Sequence, residues 1–146
     1  MTETQFREMH SQVIEYYQCI EIHLKGICAS LLAENERDWF TLLDNSEADP
    51  LGKVIEKIRT LQNQRHVDVF SSEEYDALHE IRKKRNWWVH QCFIDYTHVS
   101  FSKGVVKHPH HAEMITLDLQ DAKGWDEKIV EIGRSLTGGN LTVSKL

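Results

Sequence analysis

Apolar residues recur at steps of three and four through the first part of the chain: Phe6, Met9, Val13, Tyr17, Ile20, Leu24, Ile27 and Leu31. Such a stripe predicts one long amphipathic helix over about residues 4–34, because a period of 3.6 keeps these positions on one face. Gly26 within it costs ~1 kcal/mol against alanine, which so long a stripe offsets. Asn35-Glu36-Arg37-Asp38 breaks the pattern, and Trp39, Phe40, Leu42 and Leu43 form a short apolar piece. A loop from Asn45 leads to Pro50, which opens a helix well because its missing N–H is not needed there. Leu51, Val54, Ile55, Ile58 and Leu61 mark that helix, ending near Gln64.

Ser71-Ser72-Glu73-Glu74 starts a third helix, with serine as the N-cap and acids in the first turn, and the pattern carries it to about Tyr96. From Thr97 to Lys107 the chain turns to Val, Phe, Thr and Ser around Ser102-Lys103-Gly104, the pattern of a small β-hairpin. His108-Pro109-His110-His111 reads as a loop. Asp118 then caps a last helix carrying Leu119, Ala122, Trp125, Ile129, Ile132 and Leu136, which Gly138-Gly139 stops. The expectation is an all-α fold: a helical bundle of four to five helices with a hairpin insertion before the last. It forms a single domain over 1–137 with a flexible tail at 138–146.

Composition narrows the function classes. A chain of 146 residues with 40% hydrophobic and 27% charged content suits one domain with a real core. A net charge of −6 argues against indiscriminate binding to nucleic acid, while leaving Arg82-Lys83-Lys84-Arg85 as a local basic stretch. Cys19, Cys28 and Cys92 lie in helical patterns without CxxC spacing, which points to buried apolar residues rather than disulfides or a zinc site. Met1-Thr2-Glu3-Thr4 is no signal sequence, and no apolar run approaches the ~18 residues of a membrane span. The expectation is a cytoplasmic protein that needs no cofactor.

The third helix carries the anomaly. Projected at ~100° per residue, Leu78, Ile81, Trp88, Val89 and Cys92 share one stripe, extended by Tyr75, Phe93 and Tyr96. Arg85 falls in its middle, Asn86 and His90 share its edge, and Trp87 points the other way. A guanidinium in an apolar stripe needs partners. Either Arg85 forms a buried salt bridge, with Glu21 on the first helix as its structural partner, or the stripe opens there into a cleft or subunit interface. In a cleft, arginine's planar fork suits phosphate. His90 can move protons near neutral pH, and Asn86 can orient either neighbour. Together the three suffice for metal-free transesterification of RNA. His90 would deprotonate the ribose 2′-OH or protonate the leaving 5′-oxygen, and Arg85 would hold the phosphate. Arg82, Lys83, Lys84 and Trp87 are candidate substrate-binding residues, Trp87 through base stacking or dimer packing. One obstacle stands: residues five apart diverge by ~140° on an ideal helix. Two copies of the motif facing each other across a two-fold dimer would remove it.

The run Leu78-His79-Glu80-Ile81-Arg82-Lys83-Lys84-Arg85-Asn86-Trp87-Trp88-Val89-His90 resembles the R-x4-H segment of HEPN (higher eukaryotes and prokaryotes nucleotide-binding) domains. Leu51-Gly52-Lys53-Val54-Ile55 resembles the start of the helix before it in several such families, and the long first helix fits. The resemblance spans about residues 5–96 plus the last helix. It implies a helical bundle, usually a homodimer with the active site at its interface. Many members are metal-independent endoribonucleases of toxin–antitoxin, phage-defence or RNA-processing systems. Some toxins are silenced by an antitoxin that modifies a tyrosine two positions past the histidine. Here that position is Cys92, and the nearest downstream tyrosine is Tyr96. Other members only bind nucleotides or proteins, the alternative reading here. Residues 97–117 do not map onto the family core. His108, His110 and His111, with His98, form the densest histidine group, but a proline-containing loop is not the i, i+4 spacing of helical zinc sites, and no metal is expected.

Overall fold

The computed structural model describes residues 1–94 and 98–137. It is an all-α bundle: α1 (Glu3–Leu32), α2 (Glu36–Asn45), α3 (Leu51–Arg65), α4 (Ser72–Asn86) and α5 (Pro109–Thr137). A hairpin of β1 (Phe101–Ser102) and β2 (Val105–Val106) precedes α5. Thr2 caps α1 through a reciprocal pair with Gln5, its side chain accepting from the Gln5 N–H. The predicted stripe of α1 is the centre of the core, with Phe6, Val13, Tyr17, Ile20 and Leu24 buried. Each large side chain of this kind contributes ~1.5–3 kcal/mol on burial, which outweighs the cost of Gly26.

α5 lies along α1 in the same direction. The hairpin ties their N-terminal ends, the Glu3 N–H donating to Gly104 O (2.8 Å) and the Val106 N–H to Met1 O (3.1 Å). Further along, His23 Nδ1 meets Asp126 Oδ1 at 2.6 Å. α3 and α4 pack antiparallel, with His79 Nε2 2.6 Å from Glu56 Oε1. Gly52 lies beneath the stem of Arg82, and a Cβ there would sit 3.1 Å from Arg82 Cδ. The glycine lets the two helices close at that point.

Four expectations need correction. Asn35 does not merely break the pattern: its side chain accepts the Asp38 N–H (2.8 Å) and caps α2. The last helix starts nine residues before Asp118, at Pro109, so the His108–His111 stretch is the start of α5 and not a loop. Its apolar face continues back through the buried His111 and Ile115. Asp118 is therefore no cap but a buried residue within the helix. Finally, α4 ends at Asn86 and widens into a π turn over Trp87–Gln91, which turns Val89 and Phe93 out of the core. The expected helix end at Tyr96, the Gly138-Gly139 stop and the 138–146 tail lie outside the described residues. The hairpin appears as expected, closed by Lys103 and Gly104 at positive φ (52° and 75°), the form of two-residue turn that matches strand twist. No helix among the described residues is long and apolar enough to cross a membrane.

Candidate functional site at the end of α4

Ser71 starts α4 with a capping box to Glu74. The helix then runs regularly to Asn86. Beyond it, the Cys92 N–H reaches back five residues to Trp87 O (2.8 Å) instead of four to Trp88. This leaves the Trp88 carbonyl without its helical donor. His10 on α1 fills the place: its Nε2 lies 2.9 Å from Trp88 O, and since a carbonyl only accepts, that nitrogen carries the proton. The Cys92 thiol donates to the same oxygen at 3.1 Å. Burial pushes that thiol up to about 11, so it stays a protonated donor. Downstream, the Val99 N–H holds Cys92 O at 2.6 Å. The Trp88 indole is buried, donating through Nε1 to Asp118 Oδ2 of α5 at 2.8 Å.

The π turn resolves the angular obstacle within one chain. A turn closed at i+5 absorbs one extra residue, removing ~100° of rotation. The ~140° divergence of residues five apart thus falls toward ~40°. Arg85 and His90 accordingly line the same cavity, of about 240 Å³, together with Val89. Its other wall is α1, through Ile14, Tyr17, Gln18 and Glu21. The cavity is below the ~300–1,000 Å³ of sites for drug-sized ligands. A second cavity of about 460 Å³ shares Gln18 and Glu21 and extends the groove to Lys25 and Asp44.

Arg85 Nη1 lies 3.4 Å from Glu21 Oε2, and Nη2 donates to Asn86 Oδ1 at 3.3 Å. Its side chain keeps 24% exposure, so the guanidinium is both paired and open to the cavity. Both readings of Arg85, ion pair and cleft, thus describe it. Asn86 is half-buried beside it, and His90 is exposed at the cavity rim.

The neighbouring basic residues are mostly paired. Lys83 meets Glu80 at 3.0 Å, and Lys84 meets Asp118 at 3.3 Å and Asp121 at 3.7 Å. Arg82 lies across Gly52 with its Nε buried and without a partner among the described residues. Trp87 is half-buried rather than free. Its ring packs edge-on to Trp88 (4.7 Å) and stacks over His111 (6.2 Å), because the early start of α5 carries His111 over it. The His108, His110 and His111 rings cluster, the last two 4.0 Å apart. Among the described residues no group of three or more His, Cys, Asp or Glu side chains has metal-binding geometry.

Three residues around the site were not assigned to it from the sequence: His10, Tyr17, read only as part of the apolar stripe, and Asp118, read as a helix cap. Tyr17 is 1% exposed, and its hydroxyl has no hydrogen-bond partner among the described residues. Burial, reinforced by Asp118 and Asp121, raises its pKa well above 10.0, so the phenol remains a neutral donor. A signal for the α1 wall does exist: Ile14, Gln18, Glu21 and Lys25 form a second stripe at helical spacing beside the apolar one. Compared with protein families, curated sequences and solved structures, the chain finds no match.

Proposed function

We propose that this protein is a HEPN-like, metal-independent endoribonuclease that cleaves cytoplasmic RNA by 2′-OH transesterification. The observation that carries the reading is the shared cavity of Arg85 and His90 beside the π turn. π turns within helices occur frequently at functional sites. Arg85 offers the phosphate N–H donors beyond those engaged by Glu21 and Asn86, and its charge stabilises the pentacoordinate phosphate. His90, exposed at the rim, exchanges a proton with a reacting oxygen. The requirement for a 2′-OH selects RNA over DNA.

The homodimer reading is supported by exposed apolar residues beside the site: Val89 at 47%, Phe93 at 39% and Ile94 at 81%. The role of an antitoxin partner or of phage defence rests on the family resemblance, and the identity of neighbouring genes tests it. The enzyme itself is tested by incubating RNA with the protein in EDTA. Wild type cleaves and His90→Ala and Arg85→Ala do not; equal cleavage by both variants overturns the assignment.

A further inference from the structure

Glu21 was expected only as a structural partner for Arg85. Its position allows more. It shares the small cavity with Arg85 and His90, its side chain keeps 25% exposure, and it stands on the wall opposite His90. Transesterification needs two proton transfers, one from the attacking hydroxyl and one to the leaving oxygen. A single histidine supplies one of them at a time. The cavity holds one other side chain that can accept a proton as a carboxylate.

We infer that Glu21 is the general base and His90 the general acid of this site. This rests on the ribonuclease reading above and assigns its proton carriers. The Glu21 carboxylate takes the 2′-OH proton as the 2′-oxygen bonds to phosphorus. Imidazolium His90 gives its proton to the 5′-oxygen as the P–O5′ bond breaks. The products are a 2′,3′-cyclic phosphate and a 5′-OH. Glu21 then releases its proton to water and His90 takes one up, which resets the site. Arg85, 3.4 Å from Glu21 and bonded to Asn86, holds the phosphate between the two. The charged groups facing Glu21 are Arg85 on α4, His90 on the π turn and Lys25 at 3.9 Å on α1, with Asp44 and Glu47 across the adjoining groove. Glu47 also accepts a hydrogen bond from Lys25 through its backbone carbonyl (2.8 Å), which keeps that ammonium beside the groove.

The test is cleavage of a mixed-sequence fluorogenic oligoribonucleotide and of a uridine 3′-aryl phosphate, whose leaving group needs no acid. Wild type, Glu21→Gln, Glu21→Asp and His90→Ala are compared across pH, with folding checked by thermal melts. On the oligonucleotide, Glu21→Gln loses ~10²-fold or more and the acidic limb of the kcat/KM profile, while Glu21→Asp keeps that limb. Affinity for a 2′-deoxy oligonucleotide is retained in Glu21→Gln. On the aryl phosphate, His90→Ala recovers and Glu21→Gln does not. A Glu21→Gln enzyme with near-wild-type rate and both limbs overturns the inference and leaves the ribonuclease reading standing. Recovery of Glu21→Gln but not His90→Ala on the aryl substrate reverses the roles and also overturns it. A wild type that cuts neither substrate overturns the ribonuclease reading and this inference together.

Discussion

His10→Phe probes the device that brings Arg85 and His90 together. The phenyl ring keeps the aromatic packing of the imidazole, which lies 6.4 Å from Phe6, 6.0 Å from Trp88 and 5.3 Å from Phe93. It removes the donor 2.9 Å from Trp88 O. The Cys92 thiol, 3.1 Å away, remains, but S–H is a weak donor. Loss of one partly buried hydrogen bond costs ~1–1.5 kcal/mol. With a urea m-value of ~2 kcal/mol/M, the midpoint falls by ~0.5–0.75 M. Tryptophan fluorescence reads it, since Trp88 is buried at the turn. The freed carbonyl also competes for the Cys92 N–H at i+4, the ordinary α-helical bond. That register swings His90 ~100° away from Arg85, so RNA cleavage falls together with stability. His10→Gln, which keeps an N–H donor, restores part of both. A His10→Phe protein within ~0.3 kcal/mol of wild type and fully active refutes the reasoning, for the π turn would then not depend on this bond.

Other consequences follow from groups near the site and at the helix ends. Tyr17→Phe removes a buried hydroxyl that has no partner among the described residues and raises stability by ~1 kcal/mol in denaturant unfolding. Burial raises the pKa of both Tyr17 and Tyr75, Tyr75 to about 12, so their contribution is complete below the unfolded value near 10 and is lost as pH rises above it; Tyr17→Phe shows a shallower alkaline loss. Glu74 is held below its usual pKa by Lys128 and the Ser71 N–H, so its contribution is present above the unfolded value of 4.5 and lost as pH falls through the folded one. Glu74→Gln keeps an oxygen for the capping box and flattens that acid-side loss in pH-dependent unfolding. Thiol labelling of the native protein proceeds first at half-buried Cys19, with the buried Cys28 and Cys92 reacting only on unfolding.

Much of the fold was legible because helix formation follows a local period. The stripe from Phe6 to Leu31 and the Leu51–Leu61 stripe lie buried where their spacing put them, save for the partly buried Met9. The hairpin was legible from Lys103-Gly104 in a run of β-favouring residues. The reading failed where a tertiary bond overrode the local rule. Asp118 looks like a cap in isolation, yet Trp88 and Lys84 make it a buried acceptor inside α5. The π turn has no local sequence mark, since what satisfies its carbonyl is His10, 78 positions earlier. For the same reason the ~140° divergence expected of Arg85 and His90 on an ideal helix did not anticipate the wider turn. The charge anomaly at Arg85 pointed to Glu21 as one of two outcomes, an ion pair or an open cleft, and the contact is found at 3.4 Å.

The most direct test of the ribonuclease assignment is the chemistry of the RNA ends made in EDTA. Wild type is expected to leave 2′,3′-cyclic phosphate and 5′-OH ends, with no product from Arg85→Ala or His90→Ala at equal protein concentration. Ends carrying 3′-OH and 5′-phosphate, or cyclic ends formed equally by both variants, would contradict a metal-independent site built on Arg85 and His90.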